Sequence, residues 1–430
     1  MQNKLSIGEK IGQFVIYLMI IGVTLIAFPS NGMTVMLVRC MQAMELLILG
    51  VLILPKLKQV MKFDKFILLV MCWWVVYILN SFMHSTEVGI TPVFTLMNVA
   101  IFLVLGTSYW IKDMRSSLKG LIIIFSALVY INGVLLILYP DGLWVDPEWV
   151  GRGNPTRYLF GNQNQTGFVC FLAIATQCIY SFAYKKGYFN LFLLLGVSLT
   201  SVLFLGSMTS SIGIFLITGY IIFNRLFQKP KGWLIAFAVI YTLTFIFIVW
   251  YGNDIEQIKW ATTFVEETLS KDTTFSKRTV IWANAVDLIK ESPLFGYGIQ
   301  NVEWNDTHLE GSGAHNLWVM LLLNGGWVMC LSFVGLVVYA VREALIEKSK
   351  ATSTAVMALC VLFVMAFFEA YNIIYIFLYL QIVYYSSSIR ISPACTASSA
   401  QLTTMLSFSS RIRFRSLSII RQQSACVSPA

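Results

Sequence analysis

Twelve long apolar stretches limit what this chain can fold into. They fall at about 12–28, 34–54, 66–83, 91–109, 119–139, 165–183, 189–206, 209–225, 233–251, 316–341, 352–369 and 372–388. A helix of about 20 apolar residues crosses the roughly 30 Å hydrocarbon core of a bilayer. Lipid offers no partner for unpaired backbone groups, so such stretches are helices and not open strands. Composition agrees, since 57% of the 430 residues are hydrophobic and only 12% are charged, with mean hydropathy +0.74. A soluble domain keeps about a quarter of its residues charged. The expected fold is an all-α, polytopic integral membrane protein of about twelve transmembrane helices. The first stretch follows Lys4 and Lys10, with no small-residue cleavage site after it, and reads as a retained helix.

Basic residues mark every second connection. Lys56 to Lys65 follow the second stretch, Lys112 and Arg115 the fourth, and Lys185 and Lys186 the sixth. Arg225 and Lys229 follow the eighth, and Arg342 and Lys348 the tenth. The intervening short loops carry no Lys or Arg except Arg152 and Arg157. By the positive-inside rule both termini are cytoplasmic. The net charge of +9 therefore belongs mainly to cytoplasmic loops and does not indicate nucleic-acid binding. Eight scattered cysteines without paired spacing suit small apolar fillers better than disulfides or a metal site. The body is expected over 1–388. The tail 389–430 is Ser-rich and uses Arg alone among charged residues, reading either as a disordered cytoplasmic segment or as an out-of-frame or fused terminus. The abrupt loss of lysine favours the second.

Two longer segments are expected outside the membrane, at about 140–164 and 252–315, and long loops between helices tend to carry function. In the second, Ile281, Trp282, Ala285, Val286, Leu288 and Ile289 share one helical face. This predicts a short amphipathic helix on the membrane surface, capped at Ser276 and ended by Pro293, Gly296 and Gly298. The loop holds ten acids against five bases over 252–313, so an arginine kept there stands out. Arg157 precedes the sixth stretch, Arg278 opens the amphipathic helix, and His315 opens the tenth. All three are expected at one face of the membrane. Two guanidiniums suit the oxygens of a diphosphate, whose charge grows as it leaves a sugar. A histidine can orient or deprotonate an attacking hydroxyl. The bland alternatives are arginines that snorkel to lipid phosphate and a histidine that only caps a helix. Arg39, in the outer third of the second stretch, is a further candidate for lining a cavity, and Glu369 ends the eleventh. Asp306, His308 and Glu310 read as solvated loop groups, not metal ligands.

Three segments resemble the O-antigen ligase and polymerase family. "RYLFGNQNQTG" is similar to its arginine–glycine–asparagine segment through Arg157, Gly161 and Asn164. "RTVIWANAVDLIKESPLFGYG" is similar to its Arg-x-x-x-Trp helix and Pro-Leu-x-Gly-x-Gly turn through Arg278, Trp282, Pro293, Leu294, Gly296 and Gly298. "HNLWVMLLLNGG" matches a His-Asn pattern ending in glycine through His315, Asn316 and Gly326. The resemblance covers about 150–340. It implies a glycosyltransferase of the bacterial cytoplasmic membrane, working at its outer face without metal or cofactor. The implied partners are an undecaprenyl-diphosphate-linked glycan donor and a glycan acceptor, together with membrane lipid and polysaccharide-assembly proteins such as a flippase and a chain-length regulator. Arg157 and Arg278 would bind the diphosphate and His315 would position or activate the acceptor. Asn316, Asn164, Arg39 and Trp282 are the expected substrate-binding residues. Polymerisation of repeat units into capsule or O-antigen is the first reading, ligation of finished glycan to another acceptor the second. A lipid-linked sugar flippase is the rival class, although no internal repeat supports it.

Overall fold

A computed structural model describes residues 6–387, except 30–31, 62–63, 84–94, 103–105, 107–109, 111–112, 151–153, 225, 228–229, 252–273 and 347–348. The tail 389–430 lies outside the described residues, and so does much of the fourth expected stretch. The helices, in chain order, are α1 (Ile7–Leu25), α2 (Gly32–Met61), α3 (Lys65–Met83), α4 (Met114–Leu138), α5 (Gln163–Tyr184), α6 (Tyr188–Leu205) and α7 (Met208–Phe223). They continue as α8 (Pro230–Phe245), α9 (Thr274–Glu291), α10 (Val302–Leu309), α11 (Leu317–Ile346), α12 (Lys350–Phe368) and α13 (Ile373–Ser386). Among the described residues, nine helices are long and apolar enough to cross a membrane, and α7 and α13 are shorter apolar helices. The chain is an all-α polytopic membrane protein.

The core sits where α5, α12 and α13 meet. These helices are buried on nearly every side, and Phe168 of α5 stacks on Tyr371 at the start of the last hairpin, with centroids 4.2 Å apart. The segment between α4 and α5 folds into a two-stranded antiparallel hairpin, β1 (Trp144–Val145) and β2 (Thr156–Arg157), with Trp144 opposite Arg157. A turn then carries Gly161 at φ +93 and ends in Asn162, whose side chain caps α5 by accepting from Gln165 N at 2.9 Å.

The amphipathic helix is present as α9, with two differences from expectation. It starts at Thr274, so Ser276 lies inside the helix and not at its cap. Its apolar face also meets protein and not lipid. Ile281, Trp282, Ala285 and Ile289 are buried in one cluster with Val249, Leu309, Val319, Leu322 and Phe367. A face of that size gains more from a packed protein groove, where neighbours touch it on several sides, than from an interface.

The turn after α9 interlocks with a break in α11. Gly326 has φ 60 and ψ −164 inside that helix, a combination open essentially to glycine alone. The break removes the helical partners of four backbone groups, and lipid cannot replace them. The Pro293–Gly298 turn does so instead. Tyr297 N and Gly298 N donate to Leu323 O and Asn324 O at 2.7 and 3.0 Å. Trp327 N and Val328 N donate to Pro293 O and Leu294 O at 2.8 and 3.3 Å. Each of the four groups is one that an unbroken helix would have paired within itself four residues away. Asn80 of α3 completes the joint, donating to Phe295 O at 2.8 Å and Asn324 O at 2.6 Å. Gly326 and, across the joint, Gly296 admit this close approach of backbone to backbone.

A Cβ at Gly326 would stand 2.3 Å from Leu294 C, so Gly326→Val combines a clash with a forbidden dihedral pair. We expect it to destabilise the folded protein by at least about 2 kcal/mol, read as a lower unfolding temperature of detergent-solubilised protein, while Gly335→Val on the same helix, with open space around it, leaves the temperature unchanged.

Candidate active site

Glu369 ends α12 and is 7% exposed, and three elements converge on its carboxylate. His315 Nδ1, just before α11, lies 2.9 Å from Oε1. Asn164 Nδ2, in the first turn of α5, donates to Oε2 at 2.8 Å. Arg278 of α9 places a guanidinium nitrogen 3.7 Å from Oε2. Burial by itself raises the Glu369 carboxyl, but the His315 hydrogen bond, the charges of His315 and Arg278 and the Asn164 amide outweigh it. The group is held below its ordinary value and stays ionised.

A carboxylate accepts and never donates, so the Nδ1 facing it carries the proton. In neutral His315 this leaves the Nε2 lone pair free to take a proton from another group. The described neighbour of Nε2 is Ser312 Oγ, at 3.5 Å, too long for a strong hydrogen bond. His315 itself sits at φ +46, a left-handed conformation unusual for a non-glycine residue. Its neighbours impose that geometry. Asn316 caps α11 by accepting from Trp318 N at 2.9 Å and Val319 N at 3.2 Å, and donates to Phe367 O at 2.9 Å.

Two expected substrate contacts therefore act as supports. Asn316 is fully buried, with its oxygen capping α11 and its nitrogen tied to α12. Trp282 is also fully buried and donates through Nε1 to Ala314 O at 2.8 Å, beside the histidine. It lies four residues after Arg278 on the same helical face, so anchoring the indole aims the guanidinium one turn earlier. Asn164 is a support as well as a ligand of Glu369, since its Oδ1 accepts from Ser207 Oγ at 2.8 Å.

The structure does not bring the three expected cations together. Arg157 is bound on the hairpin, with Nε 3.3 Å from Asp146, NH1 donating to Asn154 O at 2.7 Å, and its guanidinium 5.0 Å from the Trp149 ring centroid. No described contact joins it to Glu369, His315 or Arg278. Arg39 is exposed on α2, likewise without a described contact to that cluster. His308 stacks on Trp304 at 4.3 Å and its Nδ1 sits 2.9 Å from Trp304 O, on an exposed face of α10 and not in a loop. Among the described residues no group of three or more His, Cys, Asp or Glu is placed to hold a metal.

Residues 191–334 match the family profile described as O-antigen ligase. That region, a third of the chain, is similar to an O-antigen ligase domain. The matched region runs from α6 to the middle of α11 and contains Arg278, Trp282 and His315. A search of curated proteins gives no match. The apolar helices fit a multi-pass membrane protein, and the matched third of the chain is similar to the O-antigen ligase family. Glu369 lies beyond the matched residues. Its signal was a lone acid at the end of an apolar span, which marks a candidate by default.

The depressed carboxyl has a consequence for stability. Because its folded pKa lies below the unfolded one, its stabilising contribution is fully present above the ordinary value of 4.5 and is lost as pH falls through the lower folded value. We expect Glu369→Gln to lower the unfolding temperature at pH 7 and to flatten its decline on acidification. Thermal scans of both proteins between pH 3 and pH 7 read the difference.

Proposed function

We propose that the protein polymerises undecaprenyl-diphosphate-linked repeat units into capsule or O-antigen at the outer face of the cytoplasmic membrane. The observation that carries this reading is the Glu369–His315 pair with Arg278 beside it. In the step we assign, His315 Nε2 takes the proton of an acceptor hydroxyl as its oxygen bonds to the anomeric carbon of the donor sugar. The bond from that carbon to the diphosphate oxygen breaks, and the lipid diphosphate leaves with the bonding pair. Glu369 holds the tautomer and offsets the imidazolium charge. Arg278 trades its long contact with Glu369 for the diphosphate, whose charge grows in the transition state, and a cation fixed there favours that state over the ground state. Arg157 is the second diphosphate ligand in this reading, exchanging Asp146 for a phosphate oxygen. No step calls on a metal.

The ligase reading uses the same chemistry on a different acceptor and is supported by the family description alone. Cells lacking the protein separate the two. Loss of a polymerase leaves single capped repeats, and loss of a ligase leaves long uncapped chains.

Purified protein given a lipid-diphosphate oligosaccharide is expected to release lipid diphosphate and build a ladder of products. His315→Ala is expected to lower kcat by roughly 10²–10⁴, and Arg278→Ala by about 10²–10³. Arg278→Lys regains part of that loss, because a point charge does not reproduce the guanidinium fork. Arg157→Ala with normal chain lengths would remove that residue from the diphosphate site. Turnover is expected to survive EDTA, and a reversible loss on chelation would point to a metal step.

A further inference from the structure

A cavity of about 370 Å³ lies against the segments that carry the catalytic pair. Its wall includes Gly313 and Ala314, which lead into His315, and Ala370, which follows Glu369. The volume is in the range of small-molecule sites, about 300–1,000 Å³. None of its described lining residues is charged, which distinguishes it from the Arg278 side of the pair. A phosphate or carboxylate entering here would lose water and gain no cation.

The wall instead presents neutral hydrogen-bonding groups with capacity to spare. Gln300 Oε1 is buried with no partner among the described residues, while its Nε2 is held by Tyr297 O. Tyr77 Oη accepts from Asn324 Nδ2 at 2.8 Å, leaving its own proton to donate. Asn372 Oδ1 caps α13 through Ile374 N at 3.1 Å, which leaves the amide nitrogen of that side chain to donate. Asn305 adds a fourth amide or hydroxyl-bearing side chain, and Leu96, Val99, Met320 and Leu323 supply an apolar floor. Alternating donors and acceptors above an apolar surface match a sugar ring, which has hydroxyls at its rim and C–H groups on its face.

We infer that this cavity is the acceptor subsite and holds a neutral sugar residue of the incoming glycan beside His315. The inference rests on the glycosyl-transfer reading and goes further, because it selects a neutral glycan over a phosphorylated core as acceptor.

The probe is the oligosaccharide freed by mild acid from the lipid-linked glycan that accumulates in cells lacking the protein. A diazirine at its reducing end leaves the accepting, non-reducing end intact. Photolysis with the full-length protein in detergent is expected to label peptides covering 299–324 and 370–373. Untagged oligosaccharide should compete, and a phosphorylated core oligosaccharide should not. Gln300→Leu and Asn305→Leu, each checked for wild-type elution as a single species, are expected to lower labelling about tenfold, the effect of one lost buried hydrogen-bond partner. Labelling confined to other peptides, labelling indifferent to both variants, or equal competition by the phosphorylated core overturns the subsite. Release of lipid diphosphate by the same preparation judges the transfer reading separately. Cavity labelling without turnover keeps the subsite and removes the transferase. Turnover with labelling elsewhere does the reverse.

Discussion

A carboxylate stripped of water inside a membrane protein costs several kcal/mol unless its environment returns what water supplied. Glu369 meets that requirement through an imidazole N–H, an amide N–H and a guanidinium, drawn from the start of α11, the start of α5 and the face of α9. The partners lie 54 and 205 residues away for His315 and Asn164, so the acid also serves as the point where distant segments are held in register. Everything assigned to His315 follows from this one anion. It decides which ring nitrogen carries the proton, and it keeps that ring in place despite a left-handed backbone.

The arrangement separates two electrostatic environments. On one side stand Arg278, His315 and the ionised acid. On the other lies a cavity with neutral walls built from the residues flanking the same pair. The proposed reaction, which moves a sugar from a charged lipid diphosphate to an uncharged sugar hydroxyl, has use for both, because each substrate is then disfavoured in the other's place. Among the described residues Arg157 touches neither, and on the proposed reading it joins the charged side only by exchanging Asp146 for a phosphate oxygen. It is neutralised by Asp146 within its own hairpin and rests on Trp149, a pairing that exposes 9% of its side chain.

Much of this architecture was legible in the order of residues, for identifiable reasons. The membrane helices could be read because lipid imposes a single solution on long apolar runs. α9 could be read because its apolar positions recur with helical spacing, and Arg278 and His315 stood out as scarce polar groups. What escaped was pairing. Asp146 and Glu369 each decide which role an adjacent cation plays, and no local pattern says which acid meets which base across a fold. Asn316 and Trp282 looked like ligands because they flank reactive positions. They are supports because their polar atoms find backbone partners that only the folded chain brings close. Asn80 had no signal beyond being an amide in an apolar span, since the carbonyls it meets lie in a turn and at a helix break 215 and 244 residues further on.

That break orders events during synthesis. The Pro293–Gly298 turn precedes α11 in the chain, so its carbonyls and amides are already outside the ribosome when Leu323–Val328 emerge. The helix can therefore enter the bilayer with its gap filled on arrival, instead of exposing bare peptide groups to hydrocarbon while waiting for a later segment. A permuted chain that made α11 first would have to insert an unfilled gap, or a straight helix that must later be broken.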